Sequence, residues 1–228
     1  NLGKLMSVLP LVAILVLGAR PYQMAIIGGA TATAGLSFGL IAGPWIDRSR
    51  RRMVLVATDL GRALSIASIA IAHFIFELHI EHLYVVAFIN GSLGIFNEVA
   101  HRAYLPGIVD RNRLLEANSK VAASDAVTEQ IGFSVGGFIA QLASAISASV
   151  VQAITFAVSG LLILVIRKPE PPPTSRPEDQ ESNVRQELIE GYRFIAGHQL
   201  LRLVAISSAV MAGAGGIIGG MITLFAIT

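Results

Sequence analysis

Long apolar stretches without charged residues, separated by short polar ones, dominate the chain. A helix that crosses a hydrocarbon core of about 30 Å needs roughly 20 apolar residues. Stretches 21–46 and 203–228 meet this length without any charge, and stretch 130–166 is long enough for two helices joined near residues 144–149. Three more stretches, which are shorter or contain ionisable residues, predict further spans at 5–17, 53–76 and 83–105.

These spans predict an all-α membrane protein with a six-helix bundle in residues 1–167. A proline-rich, acidic linker follows at 168–183, and it cannot form a helix or a packed core. An amphipathic surface helix is expected at 184–200, and a seventh span is expected at 201–228. Because residue 1 is not methionine and Thr228 interrupts an apolar run, we expect a fragment with truncated first and seventh spans.

Composition supports a lipid-embedded chain. Of 228 residues, 54% are hydrophobic and only 14% are charged, whereas soluble domains carry about a quarter charged residues. The net charge of +2 gives no indication of nucleic-acid binding, and the absence of cysteine excludes disulfides and thiolate metal sites. The sequence shows no nucleophile constellation, phosphate-binding loop or metal triad, so we expect neither an enzyme nor a cofactor.

Most of the 17 basic residues lie in alternate connections, which sets the expected orientation. Cytoplasmic loops of membrane proteins retain Lys and Arg. The connections after the second, fourth and sixth predicted spans are basic, whereas the opposite ones contain Arg20 alone. The pattern predicts a multi-pass protein of the plasma membrane, in bacteria the inner membrane, with basic loops in the cytoplasm.

The connection after the second span carries a recognisable motif, Gly43-Pro-Trp-Ile-Asp47-Arg48-Ser-Arg50-Arg51-Arg52. It resembles the loop signature of the major facilitator superfamily, a family of transporters. The resemblance implies that Asp47 and Arg51 gate the transporter, with Gly43, Arg48 and Arg52 completing the motif. Arg50 replaces the family's glycine, and the alternative reading is a cytoplasmic loop that merely collects arginines.

Further segments resemble the branch that includes macrolide efflux proteins and the enterobactin exporter. They are Asp59-Leu-Gly-Arg62-Ala, Arg102-Ala-Tyr-Leu-Pro106, Leu115-Glu-Ala-Asn118 and Glu190-Gly-Tyr-Arg-Phe-Ile. The resemblance implies the first half of a twelve-span transporter, whose partners are the lipid bilayer, a small-molecule substrate, protons and its own C-terminal half. The expected activity is proton-coupled export of amphipathic molecules such as drugs, antibiotics or siderophores. Metabolite uptake by symport and a non-transporting membrane scaffold are the alternatives.

Glycines give two further indications. Gly132, Gly136 and Gly137 on the fifth span partly resemble the superfamily's exporter signature, although a simple small-residue contact is the alternative. On the second span, Gly35, Gly39 and Gly43 share one helix face. Small residues allow close helix packing in lipid, so we expect this face to contact a partner helix.

Ionisable residues within spans are functional candidates, because each costs at least about 2.5 kcal/mol near the bilayer centre. Asp59 and Arg62 lie three residues apart and are expected to pair, either for structure or in a proton or substrate path. Glu98 is expected near Arg51, as part of the gate or as a proton carrier. The His- and Glu-rich loop 73–82 indicates solvated surface residues, with a zinc or nickel site as the alternative.

Overall fold

The computed structural model describes residues 8–109 and 113–166, together with 193, 197–203 and 207. The chain divides into two compact units, residues 1–173 and 174–228. The second unit is described only at a short helical stretch, 199–203, and at its isolated neighbours. The predicted linker 168–183 and most of both the predicted surface helix 184–200 and the predicted seventh span lie outside the described residues.

The described part of the first unit is built from α-helices, and no strand occurs within residues 8–109 and 113–166. This confirms the all-α class. The six helices are α1 (Val8–Leu15), α2 (Pro21–Asp47), α3 (Arg51–Ile75), α4 (Ile80–Ile108), α5 (Leu114–Leu142) and α6 (Ala145–Val165).

Local sequence explains where two of these helices begin. Pro21 occupies the first turn of α2, where its missing N–H costs nothing, and the Arg20 backbone N–H donates to Gln23 Oε1 at 2.8 Å. Helix α6 begins after Ser144, whose side chain accepts a hydrogen bond from the Ser147 backbone N–H at 3.0 Å. The predicted helical hairpin therefore turns at its serine-rich junction.

The second, third and fourth predicted spans agree with α2, α3 and α4 to within a few residues. The main difference is α5, which begins at Leu114, well before the apolar stretch at 130–166. Its first half contains charged residues, so an uncharged apolar stretch does not reveal it.

Three of the described helices are long and apolar enough to cross a membrane: Arg51–Ile75, Ile80–Tyr104 and Ala145–Val165. Helix α2 makes a fourth if its two segments, which meet at 52° between Gly39 and Ile41, form one span. Pro44 contributes to this bend, because it cannot donate a hydrogen bond to the carbonyl of residue 40. The chain is thus a multi-pass membrane protein, and this count falls short of the predicted six spans plus a seventh.

Helix α3 lies at the centre of the first unit and packs against α4 and α6, while α2 packs along α4. One apolar core joins α1, α3, α4 and α6 through Val12, Ile66, Ile69, Leu83 and Phe156. A second, smaller core lies near the loop motif and consists of Ala42, Ile46, Val54, Leu55, Ala100 and Tyr104. The motif is therefore supported by buried side chains from three helices.

Helices α2 and α4 approach each other closely along the predicted glycine face of α2. A Cβ atom built on Gly91 of α4 would lie 3.1 Å from Cα and O of Thr31, whereas no described atom lies within 4 Å of one built on Gly39 or Gly43. Gly35 makes an ordinary contact with Ile95. Thr31 lies one turn before Gly35 on the same face, so this face contacts α4 at Thr31 and Gly35, and α4 supplies the glycine of the closer contact.

Candidate functional site

The loop motif places its acid and its base side by side. Asp47 is the last residue of α2, and Arg51 is the first residue of α3. Arg51 Nη2 lies 3.4 Å from Asp47 Oδ1. The two residues form an ion pair and are four positions apart in the sequence. The Asp47 side chain is 62% exposed, so the pair alone contributes little stability.

The arginines of the motif also hold the ends of two other helices. Arg51 Nη1 donates to the carbonyl oxygen of Ala103 on α4 at 2.9 Å. Arg52 donates through Nε to the Ile163 carbonyl oxygen at 3.2 Å, and through Nη2 to that of Leu164. A guanidinium satisfies carbonyl groups that the last turn of a helix leaves without an intrahelical donor. The motif therefore joins α2, α3, α4 and α6 at one end of the bundle.

Glu98 lies on the exposed surface of α4, and its Oε1 accepts a hydrogen bond from Arg102 Nε at 2.9 Å. The two residues are one turn apart on the same helix, the geometry in which an acid and a base pair readily. The Glu98 side chain is half exposed, so it is not a buried charge.

Asp59 is buried in α3, with 4% of its surface exposed, and other helices satisfy its carboxylate. Asn97 Nδ2 on α4 donates to Asp59 Oδ1 at 2.9 Å, and the Ser159 hydroxyl on α6 donates to Oδ2 at 2.6 Å. Asn97 also donates to Thr58 Oγ1 at 2.9 Å. Donors from two neighbouring helices thus satisfy both oxygens of this carboxylate within the apolar interior.

Arg62 is also buried on α3, but it makes no direct ion pair with Asp59, so the expected contact between them is wrong. The two charges attract each other only at longer range. The Arg62 guanidinium carbon lies 4.1 Å from the centroid of the Phe156 ring, and Nε donates to Asn90 Oδ1 at 3.4 Å. The physical reason is that Asn97 and Ser159 already occupy the Asp59 oxygens, while the aromatic face of Phe156 attracts the guanidinium.

Asn90 extends the buried polar network along α4. Its Nδ2 donates to Ser65 Oγ at 2.9 Å and to the Val86 carbonyl oxygen at 3.2 Å. Near the opposite end of α3, Ser68 Oγ and His82 Nε2 lie 3.0 Å apart. Polar contacts between α3 and α4 therefore recur along much of their shared length.

The sequence singled out Asp59 and Arg62 but not Asn97 and Ser159. Asn97 lies seven residues after Asn90, and this spacing places both amides on one helix face. That spacing was a usable signal. Ser159 gives no such signal, because serine is common in membrane helices and its partner lies 100 residues away.

The remaining predicted residues are the exporter-like glycines and the His- and Glu-rich loop. Gly132, Gly136 and Gly137 all lie in α5, and Gly132 is buried. In the loop that contains His73 and His82, the described residues do not form any group of three or more His, Asp or Glu able to hold a metal.

Comparison with known proteins identifies the family. The model of the Major Facilitator Superfamily matches residues 2–228. Over 179 residues, the chain is 31% identical to the multidrug efflux pump Tap of Mycolicibacterium fortuitum, a match that covers 76% of this chain and 44% of that protein. The chain thus spans less than half the length of this relative. No solved structure gives a significant match. With the family model matching almost the whole chain, this protein belongs to the major facilitator superfamily.

Proposed function

We propose that this chain is the N-terminal half of a secondary active transporter, not an enzyme, that exports amphipathic small molecules by alternating access. Family membership and the likeness to a protein named as a multidrug efflux pump support efflux. The complete transporter would contain six spans in this half, a polar linker with a surface helix, and a C-terminal half that begins with the seventh span. Substrate would cross between the two halves.

The observation that carries the proposal is the contact of Asp47 with Arg51, combined with the hydrogen bond from Arg51 to the Ala103 carbonyl. Through it, one exposed ion pair connects α2, α3 and α4 at the end of the bundle. A weak, solvent-accessible pair can break and re-form at small cost, as a gate requires. Asp47 and Arg51 are the gate residues of this proposal, with Gly43, Arg48 and Arg52 supporting the turn.

We assign proton coupling to the charged residues of α3 and α4. Asp59 and Arg62 are buried residues of opposite charge, and Glu98 is the accessible acid nearer the gate. Each charge that moves across the membrane gains about 2.3 kcal/mol per 100 mV. The exporter-like glycines Gly132, Gly136 and Gly137 favour export over uptake.

The proposed location is the plasma membrane, the inner membrane in bacteria, with the motif end of the bundle in the cytoplasm. Arg51 and Arg52 contact the ends of α4 and α6, so the basic residues of two connections lie at the same end. Shared placement of basic ends is what the positive-inside rule requires.

Transport of a cationic dye, ethidium, by everted membrane vesicles tests the proposal. The transporter that contains this chain should accumulate ethidium when the vesicle interior is acidic, and a protonophore should abolish the accumulation. Uptake by symport predicts no accumulation under this gradient. Absence of any gradient-dependent movement of ethidium or of a panel of amphipathic dyes would favour a scaffold.

Asp47→Asn tests the gate, with Glu116→Gln as a matched control. Glu116 forms an exposed ion pair with Lys120 at the same spacing as the Asp47–Arg51 pair, at 2.7 Å. We expect Asp47→Asn to reduce transport at least tenfold while the melting temperature stays within about 2 °C of the parent, because the lost pair is exposed. Glu116→Gln should transport normally. Equal transport by both variants would remove the gating role.

A further inference from the structure

The terminal nitrogens of the buried Arg62 guanidinium donate no hydrogen bond to any described residue. Only 9% of the residue's surface is exposed. Among the described residues, the one hydrogen bond from Arg62 runs from Nε to Asn90, and Nη1 is fully buried without a partner. Buried charges are normally paired and hydrogen-bonded, because an uncompensated charge in an apolar interior is costly. This arginine is therefore an exception that needs a physical explanation.

Asp59 does not supply the missing acceptor. Its two carboxylate oxygens accept hydrogen bonds from Asn97 and Ser159, and neither lies within ion-pair distance of Arg62. Asp59 lowers the cost of the buried positive charge through space, but it leaves the terminal N–H groups of Arg62 without a contact. A group that carries negative charge on the other side of Arg62 would satisfy them.

Arg62 lines a cavity of about 330 Å³ within the first unit. The cavity lies among α1, α2, α3, α4 and α6, and the lining includes both apolar and polar side chains. Leu9, Ile66 and Ile95 form part of the apolar surface, whereas Asn90 and Gln152 contribute amides beside the arginine. An apolar pocket with a few converging polar groups is the usual form of a small-molecule site, and 330 Å³ lies at the small end of the size range of such sites.

We propose that this cavity binds a small amphipathic molecule with one anionic group, such as an aromatic or short aliphatic carboxylate. The carboxylate contacts the part of the Arg62 guanidinium that borders the cavity, and the apolar body lies along Ile66 and Ile95. A planar guanidinium matches a carboxylate through two parallel hydrogen bonds. All of the cavity's lining residues belong to the first unit, and binding there does not require that the protein transports anything.

Equilibrium binding of benzoate, compared with its neutral isostere benzamide, tests this site. The experiment uses isothermal titration calorimetry on the full-length transporter in detergent. The parent should bind benzoate at least tenfold more tightly than benzamide, because only the carboxylate pairs with the charge of Arg62. In Arg62→Gln the preference should fall below twofold. The matched control Arg113→Gln removes an exposed arginine that directly precedes α5 and should keep the full preference.

A second variant fills the cavity and leaves the charge in place. Gly94 lines the cavity, and no described atom outside its own stretch of helix lies within 4 Å of a Cβ built on it, so Gly94→Leu places a side chain in open space. This variant should weaken benzoate binding at least tenfold. Gly28→Leu is its control: it adds the same side chain to an exposed helical glycine that also has open space around it and does not line the cavity. Binding by the control should not change.

Three results would overturn the site. They are the absence of benzoate binding to the parent, an equal affinity of the parent for benzoate and benzamide, and variants that match the parent, either in the benzoate preference of Arg62→Gln or in the benzoate affinity of Gly94→Leu. If Arg62→Gln does not give a monodisperse protein, Gly94→Leu decides alone. Because the readout is binding, an inactive but benzoate-binding protein would contradict the transport proposal only.

Discussion

The hydroxyl of Ser159 on α6 donates to Asp59 Oδ2 on α3 at 2.6 Å. With Asn97 of α4 bonded to the other oxygen, one buried carboxylate connects three helices. In lipid, apolar burial does not itself draw helices together, so packing and hydrogen bonds between helices specify their arrangement. Asp59 is therefore a structural centre of the bundle, whatever further part it takes in proton movement.

This arrangement predicts that Asn97→Ala destabilises the protein, because it leaves one oxygen of a buried carboxylate without a donor. Hydrogen bonds to charged groups contribute about 1.5–3 kcal/mol. We expect a loss in this range in unfolding by SDS from mixed micelles, and a similar loss for Ser159→Ala. Asn118→Ala, which changes an exposed amide on α5, is the control and should cost less than about 0.5 kcal/mol. Equal stability of Asn97→Ala and the control would show that Asp59 does not depend on this bond.

How far the sequence predicts this structure depends on the kind of pattern. Apolar length predicted α2, α3 and α4 to within a few residues, because the thickness of the bilayer fixes that length. It gave the wrong start for α5, whose polar first half is helical without being apolar. The contact of Asp47 with Arg51 could be predicted from the sequence because the two residues are only four positions apart.

Contacts between distant residues could not be read in this way. The expected pairing of Asp59 with Arg62 rested on their spacing along one helix, and spacing cannot reveal a competing donor on another helix. Ser159 contacts Asp59, whereas Phe156 contacts Arg62. Both partners lie about 100 residues further along the chain. Sequence thus identified the buried charges, whereas only the fold shows which groups satisfy them.

The glycine contacts predict an order of stability among three alanine variants. A Cβ on Gly91 would lie 3.1 Å from backbone atoms of Thr31, which cannot move without shifting α2. A Cβ on Gly61 would lie 2.8 Å from Leu93 Cδ1, the flexible end of a side chain that can rotate away. Gly91→Ala should therefore cost about 1–3 kcal/mol, the usual range for overpacking, and Gly61→Ala should cost less.

Gly28→Ala completes this series as the control, because its Cβ meets nothing within 4 Å and alanine favours a helix. Its melting temperature should equal or exceed that of the parent. If Gly61→Ala melts below Gly91→Ala, the close approach of α2 and α4 at Thr31 is not the tightest constraint in the bundle.

Arg52 predicts a stability effect that is separate from gating. Its side chain donates to the carbonyls of Ile163 and Leu164, which end α6. Arg52→Ala should lower stability by about 1.5 kcal/mol, the lower end for hydrogen bonds from charged donors, because these bonds are only partly buried. Arg52→Lys should recover part of this loss, since an ammonium group lacks the planar fork of a guanidinium.

The control for Arg52 is Arg50→Ala, which removes an exposed arginine two residues earlier and should leave the melting temperature unchanged. If both alanine variants melt at the same temperature as the parent, the contact of Arg52 with α6 contributes no stability. If both melt lower by the same amount, the effect comes from the charge of the loop and not from these hydrogen bonds.

Trp45 offers a direct test of where the motif lies in the bilayer. The indole ring is half exposed, packs edge-on against Phe96 at a centroid distance of 5.3 Å, and precedes Asp47 by two residues on α2. Tryptophan favours the membrane–water interface. In a transporter with Trp45 as its single tryptophan, lipids brominated near the headgroup should quench its fluorescence at least twofold more than lipids brominated near the chain end.

Iodide, which does not cross the membrane, tests the orientation of the same residue. It should quench Trp45 fluorescence from outside in everted vesicles but not in right-side-out vesicles, because the motif end faces the cytoplasm. The opposite iodide result would invert the proposed orientation, and stronger quenching from the chain ends would place the motif inside the hydrocarbon core, where Asp47 and Arg51 could not form an exposed gate.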